Sequence, residues 1–247
     1  MLRKDLEYKI ISNERLQGEY FEMKFLAPAI AKNCKPGQFF MIDIPGVFLR
    51  RPISVHNAEG DIISLLYKVV GKGTDILSSM KSEIKVLGSL GRGYALKENV
   101  YPIIVAGGTG IASLYFLARS LKNKGVLYYG AKSKKDLLCI DKFKKEGWKI
   151  FIATEDGSKG HKGFITEIIN DKIKAGGKEF LYACGPAPMI KAVSKIVKEK
   201  GLQGQASLEE KMGCGFGNCQ GCAVKILGKN KTVCKDGPVF NIEDIEI

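Results

Sequence analysis

Histidine is scarce: His56 and His161 are the two in 247 residues, beside a single tryptophan. Neither shows a ligand partner along the chain, so both read as ordinary core or surface residues, and no catalytic general acid or base is assigned. Cysteine is limited to seven, an odd number, and no basic-then-apolar segment leads the chain, half of whose first eight residues are charged. A secreted disulfide scaffold is therefore not expected. The cysteines should be reduced thiols or metal ligands, and the expected location is cytoplasmic. Acidic residues are also short, 26 against 39 Lys and Arg, a net charge of +13. That excess could suit nucleic acid, but the basic residues lie on Lys-rich helical faces such as Lys191, Lys195, Lys198 and Lys200, without interleaved aromatics. A solvated surface is the reading, with no nucleic-acid partner. Long apolar runs are missing too. The uncharged stretch 99–118 could span a bilayer by length, but Gly107-Gly108-Thr109-Gly110 breaks it into strand, turn and helix, so no membrane association is expected. Internal repeats and low-complexity segments are lacking. With 45% apolar residues the chain can bury real cores, which excludes disordered and fibrous classes.

What is present falls into three parts. Apolar residues recur with period two through 8–11, 20–26, 38–44, 53–55 and 62–70, punctuated by Pro36-Gly37, Pro45-Gly46 and a turn over 57–61. That pattern predicts an antiparallel β-barrel, followed by a short helix over 74–81. After Asn99, strands at 103–106, 126–129, 150–153 and 180–183 alternate with helices at 111–121, before Glu146, at 164–173 and at 186–199, predicting an α/β doubly wound sheet. Beyond Gly204 the chain turns Gly- and Cys-rich. The expected fold is multi-domain: a barrel over 1–98, an α/β nucleotide domain over 99–204 and a small cysteine module over 205–247, whose stability should come partly from bound metal.

The sharpest motif is Cys214-x4-Cys219-x2-Cys222 with Cys234 twelve positions on. This is the plant-type spacing for a 2Fe-2S cluster. Gly213, Gly215, Gly217 and Gly221 allow backbone N–H groups to turn toward the sulfurs. A zinc site usually joins two short Cys knuckles, and here the fourth cysteine stands alone. Cys34 and Cys139 are single and read as buried thiols. Cys184, in Ala-Cys-Gly-Pro, ends a predicted strand at the ligand-binding edge of the sheet, and either faces a cofactor or packs.

Gly107-Gly108-Thr109-Gly110-Ile111-Ala112 follows a strand and opens a helix, a place where free N–H groups favour a pyrophosphate. Ser113 departs from the small third residue of the usual fingerprint. Lys132 and Lys134 could meet a 2′-phosphate or face solvent, while Glu155 or Asp156 could hold a ribose hydroxyl, so the coenzyme stays open. In the barrel, Arg51, Pro52, Ile53 and Ser54 combine a cation, a fixed bend and a hydroxyl, and Leu66, Tyr67 and Lys68 lead to Gly73 and Thr74 at a helix start. Together these suit a flavin: Arg51 for the diphosphate, Ser54 for a flavin or ribityl oxygen, Tyr67 stacking or packing along the cofactor, Gly73-Thr74 for phosphate.

These motifs together resemble the ferredoxin reductase superfamily across essentially the whole chain. The ending Val233-Cys-Lys-Asp-Gly-Pro-Val-Phe240 behind the cysteine loop resembles, more narrowly, the electron-transfer subunits of NAD-linked (type 1B) dihydroorotate dehydrogenases. The resemblance implies FAD in the barrel, on Arg51, Pro52, Ile53, Ser54, Leu66, Tyr67, Lys68, Gly73 and Thr74. It implies NAD(H) as co-substrate in the second domain, whose glycine turn at Gly108, Thr109 and Gly110 is the expected phosphate site, with Cys184 expected beside the flavin ring, and it implies the cluster on Cys214, Cys219, Cys222 and Cys234. It also implies a separate FMN-containing catalytic subunit, a heterotetramer with two copies of each chain, and a relay from that FMN through the cluster and FAD to NAD+ in pyrimidine biosynthesis. The same three modules occur in small subunits of sulfide dehydrogenases, NADH-dependent ferredoxin-NADP oxidoreductases and hydrogenase-type complexes. A basic regulator with a zinc module is the contrasting reading. Residues 206–247 sum to −1, leaving +14 on the part expected to hold two dinucleotides.

Overall fold

The computed structural model describes residues 6–173 and 177–246. β1 (Leu6–Gln17) and β2 (Tyr20–Leu26) form a hairpin through Gly18, whose φ of +50° favours glycine. After a single turn of helix, α1 (Pro28–Ala31), come β3 (Phe39–Ile42), β4 (Arg51–Glu59), β5 (Ile62–Lys68), α2 (Lys72–Ser79) and β6 (Glu83–Leu90). The six strands close an antiparallel barrel in the order β1-β2-β5-β4-β3-β6. Met23, Phe25, Phe40, Ile42, Val55, Ile63 and Leu65 fill it, and Leu77 of α2 joins them, all fully buried. Each such side chain contributes roughly 1.5–3 kcal/mol by leaving water.

The second half contributes β7 (Tyr101–Gly107), α3 (Ile111–Ser120), β8 (Val126–Ala131), α4 (Ile140–Lys145), β9 (Lys149–Thr154), β10 (His161–Lys162), α5 (Ile165–Lys172), β11 (Glu179–Cys184), α6 (Ala187–Glu199) and β12 (Gln203–Ser207). These strands pair in parallel in the order β10-β9-β8-β7-β11-β12. The order reverses between β7 and β11, the switch point at which ligands bind in open α/β sheets. α3 and α4 cover one face through Leu114, Leu117 and Phe143, and α5 and α6 cover the other through Ile169, Ile190, Val193 and Val197. No described helix is long and apolar enough to cross a membrane.

The cysteine-rich tail adds a hairpin, β13 (Ala223–Ile226) with β14 (Lys229–Thr232), and β15 (Val239–Asn241), which runs antiparallel on β12 as the last strand of the main sheet. Cys222, Val233, Cys234, Phe240, Ile242 and Ile245 thereby share the sheet's core with α6, and barrel residues Phe39, Met41, Leu87 and Leu90 reach the same cluster. Expected to be too small to hold a large core of its own, the tail borrows that of the sheet.

Several elements differ from the sequence expectation: α1, β10 and the tail strands β13, β14 and β15 have no counterpart in it, and β1 extends over Leu6–Gln17. β4 runs on to Glu59, past the turn expected from 57, because a bulge between Val55 and Asn57 keeps it paired with β5. β6 was not foreseen, since outward charges and Gly88 dilute its alternation. β12 was not foreseen because Gln203-Gly-Gln-Ala-Ser is polar and small; its place between β11 and β15 makes it a strand.

Candidate functional site

A cleft of about 950 Å³ lies between barrel, sheet and tail. Its size is that of a cofactor pocket. Arg51, Pro52, Ile53 and Ser54 of β4, Leu66, Tyr67 and Lys68 of β5, and Thr74 of α2 line the barrel side. Thr109 and Gly110 line it from the glycine turn before α3, and Cys184 from the end of β11. The two sites read separately in the sequence therefore open into one cavity.

Local chemistry sets each side chain. Arg51 Nη1 donates to the Leu49 carbonyl, and its guanidinium packs over Gly73, where an added Cβ would sit 2.6 Å from Nε. Gly73 thus serves the site from behind Arg51. Thr74 Oγ1 accepts the N–H groups of Val70 at 2.9 Å and Gly71 at 3.3 Å and donates to the Gly71 carbonyl at 3.0 Å, so it caps α2. The Tyr67 hydroxyl turns inward and donates to Asn13 Oδ1 at 2.8 Å. Asn13 Nδ2 in turn donates to the carbonyls of Leu77 and Met80 at 2.8 and 3.1 Å, tying β5 to the end of α2. The Lys68 ammonium donates to Asp136 Oδ1 at 3.3 Å, and Asp136 also accepts the Tyr20 hydroxyl at 2.8 Å, which docks the loop after β8 on the barrel.

At the switch point two glycine turns meet. An added Cβ on Gly110 would overlap the Cys184 carbonyl oxygen, and one on Gly185 would lie 2.9 Å from Gly107 Cα. Gly108, at φ +50°, sits on this turn outside the cleft lining, with open space beside its Cα. Cys184 is 2% exposed; burial first, then the charge of Glu209, pushes its thiol up to about 12, so a neutral thiol meets the cavity. At the ends of β8 and β9, the Lys134 N–H donates to Ser158 Oγ at 2.7 Å and Asp156 Oδ1 accepts the Ser158 N–H at 2.9 Å. Lys132 is exposed there.

The cleft also takes residues that the sequence did not single out, Ser207, Leu208, Glu209, Glu210, Lys211 and Met212, which run from β12 straight to the first cysteine, together with Pro238 of the ending after the last. Their position between a strand end and the cysteine loop was the available signal.

The loop itself is built around sulfur. Cys214 Sγ receives the N–H groups of Asn218 at 3.3 Å and of Phe216 and Cys219 at 3.5 Å, Cys234 Sγ that of Gly217 at 3.1 Å, and Cys222 Sγ that of Cys234 at 3.4 Å. Burial works against ionisation of Cys214, but those donors bring its thiol down to about 6. Burial and the adjacent Cys222 push Cys234 up to about 12. Among the described residues no three Cys, His, Asp or Glu side chains close around a single ion. The thiols form two pairs, Cys214 with Cys219 and Cys222 with Cys234, joined by the Gly217 bond. Two thiolates at each of two irons, with N–H donors to sulfur, is the demand of a 2Fe-2S cluster, and the donor set fits it. Gly215 packs against Met41 and Leu90, which seats the loop on β3 and β6.

Residues 209–246 match the family model described as the iron-sulfur cluster binding domain of dihydroorotate dehydrogenase B, and residues 104–195 match the oxidoreductase NAD-binding domain. Over 251 aligned residues, 99% of each chain, the sequence is 39% identical to the dihydroorotate dehydrogenase B (NAD(+)) electron transfer subunit of Caldanaerobacter subterraneus subsp. tengcongensis. A solved structure of an NADH-dependent reduced ferredoxin-NADP oxidoreductase, described for flavin-based electron bifurcation, superposes with a TM-score of 0.87 at 30% identity, over 97% of this chain and 89% of that one. A ferredoxin NADP+ reductase from Neisseria gonorrhoeae, solved with FAD and NADP, shares the fold at a TM-score of 0.67 and 16% identity, over 80% of this chain and 92% of that one.

Proposed function

The chain belongs to the family of dihydroorotate dehydrogenase B (NAD(+)) electron transfer subunits, and from that premise we propose how its residues serve electron transfer between NAD(H) and a dihydroorotate dehydrogenase catalytic subunit. FAD belongs in the cleft, against Arg51, Pro52, Ile53, Ser54, Leu66, Tyr67, Lys68 and Thr74, with Gly73 supporting Arg51. NAD(H) belongs at the switch point, at Gly108, Thr109, Gly110 and Cys184. Cys214, Cys219, Cys222 and Cys234 hold the 2Fe-2S cluster. When bound, the flavin supplies the conversion between the single electrons of an iron-sulfur cluster and the electron pair of a nicotinamide.

The chain's own contribution is placement and charge. Arg51 presents a fixed cation for a diphosphate, because Leu49 and Gly73 restrain its guanidinium. Tyr67 presents its ring, since its hydroxyl is engaged by Asn13. Segment 207–212 walls the cleft on the side of the cysteine loop. Backbone N–H groups stabilise negative charge on the sulfurs. No catalytic residue is assigned to this chain.

The observation that carries the proposal is the single cleft shared by the barrel strand, the switch-point turn and the segment leading to the thiols. We take the partner to carry FMN, the assembly to hold two copies of each chain, the setting to be cytoplasmic, and the parts to divide near residues 98 and 204. The test is reconstitution. Purified protein should show a flavin spectrum bleached by NADH and a 2Fe-2S signal, and should reduce NAD+ from dihydroorotate when its catalytic partner is added. The similarity to the NADH-dependent reduced ferredoxin-NADP oxidoreductase favours one other reading, a small flavin and cluster subunit of such a complex. Copurification with a larger multi-cluster flavoprotein and no dihydroorotate activity would select it.

A further inference from the structure

His56 is fully buried, yet both ring nitrogens meet polar atoms. It sits at the bulge of β4, and a bulge re-aims the side chain it carries. Its ring turns onto α3, stacking on Tyr115 with centroids 5.0 Å apart, and Nδ1 lies 2.8 Å from the Ala112 carbonyl oxygen. Nε2 faces α4, 3.2 Å from Lys142 Nζ, with Cys139 Sγ at 4.0 Å. Lys142 also donates to Glu22 Oε1 of β2 at 2.8 Å. Glu22 Oε1, 3.6 Å from Nε2, lies beyond hydrogen-bond distance, and an ammonium has no lone pair, so Nε2 accepts from Lys142. The ring proton is then on Nδ1, which donates to Ala112.

Ala112 is the second residue of α3 and lines the cleft with Thr109 and Gly110, while Ser54 lines it two residues before His56 on β4. One side chain therefore links the strand assigned to the flavin with the helix start assigned to the nicotinamide. We propose that His56, as its Nδ1–H tautomer, is the positioning residue that sets the glycine turn before α3 against β4, and with it the approach of the nicotinamide to the flavin. The proposal rests on the assignment of the cleft given above. Its consequence is kinetic, because reacting groups displaced by about 1 Å lose about a hundredfold in rate.

The test uses the holoprotein labelled with 15N-histidine, in which His161→Gln removes one imidazole and so assigns the other. At pH 7 a protonated Nδ1 and an unprotonated Nε2 are expected for His56; the reverse tautomer overturns the proposal. With NADH and an artificial electron acceptor, His56→Leu should lower kcat/KM for NADH about tenfold or more with FAD content unchanged, while His56→Asn, whose amide can donate where Nδ1 does, should stay within about twofold. A Leu variant at wild-type rates, or an Asn variant impaired about tenfold, overturns it. If His56→Leu does not fold, the tautomer and the Asn kinetics decide by the same criteria. Wild-type protein whose FAD is not reduced by NADH would instead overturn the assignment of the cleft, an outcome separate from the tautomer.

Discussion

Replacing Asn13 by alanine should loosen the barrel and the cleft together. Asn13 is 2% exposed, and its amide donates to the carbonyls of Leu77, Met80 and Ser78 while its Oδ1 accepts the Tyr67 hydroxyl. Alanine would strand the Tyr67 hydroxyl and take the amide donor from the Met80 carbonyl, while the Leu77 carbonyl keeps the Met80 N–H at 3.2 Å, and each buried polar group left without a partner costs about 1–3 kcal/mol. The expected loss is about 2–6 kcal/mol, on the order of 10 °C in Tm for a chain of this size. Tyr67 and Thr74 both line the cleft and are tied through Asn13, so FAD should also bind about tenfold more weakly, the equivalent of about 1.4 kcal/mol. Urea unfolding followed by circular dichroism gives the stability, and titration of stripped protein with FAD gives the affinity. Tyr67→Phe removes the hydroxyl that Asn13→Ala strands, so the double variant should recover about 1 kcal/mol relative to additivity. A loss below about 1 kcal/mol for Asn13→Ala, or strict additivity with Tyr67→Phe, would refute this account of the junction.

Cys219→Ser should abolish electron delivery to the catalytic partner while NADH still reduces much of the FAD, measured by stopped-flow absorbance; equal loss of both would argue against a cluster lying beyond the flavin. Gly110→Ala places a methyl on the Cys184 carbonyl, so the turn must shift, at about 1–3 kcal/mol. Its KM for NADH should rise about tenfold, and an unchanged KM in initial-rate assays would show that the turn does not hold the coenzyme. Burial first, then the Lys142 ammonium, hold His56 at about 4, below its ordinary 6.5, against the Ala112 carbonyl and Glu22 and with Lys24 acting in the same sense as Lys142. Tyr115 and Cys139 complete the titratable groups facing it. The unfolded imidazole binds its proton first as pH falls, so about 3 kcal/mol of stability, complete above about pH 6.5, is lost on descending to about pH 4. Urea unfolding at pH 7 and pH 4.5 should show a smaller loss for His56→Asn than for wild type; parallel losses would exclude His56 as the source.

Chemistry carried by near neighbours was legible in the sequence. The cysteine spacing at 214, 219 and 222, the cation, bend and hydroxyl of Arg51 to Ser54, and the glycine turn at 107–110 are short-range patterns whose meaning depends on loop geometry a few residues long. Period-two and helical patterns likewise located most strands and helices, because burial of one face is written into each segment. β12 escaped, since its small polar residues become a strand only between β11 and β15, and β6 escaped because its outward charges hid the pattern. The roles of Asn13, Asp136 and His56 were also invisible, because each is set by partners more than fifty residues away. Local sequence thus determined which cofactor chemistry the chain can support. Only the closing of the barrel on the sheet decided that β4, the switch-point turn and the approach to the cysteine loop share one cleft, and that the tail draws its core from the sheet. The physical reason is that burial and hydrogen-bond satisfaction between distant segments arise from packing, which no spacing along one segment encodes.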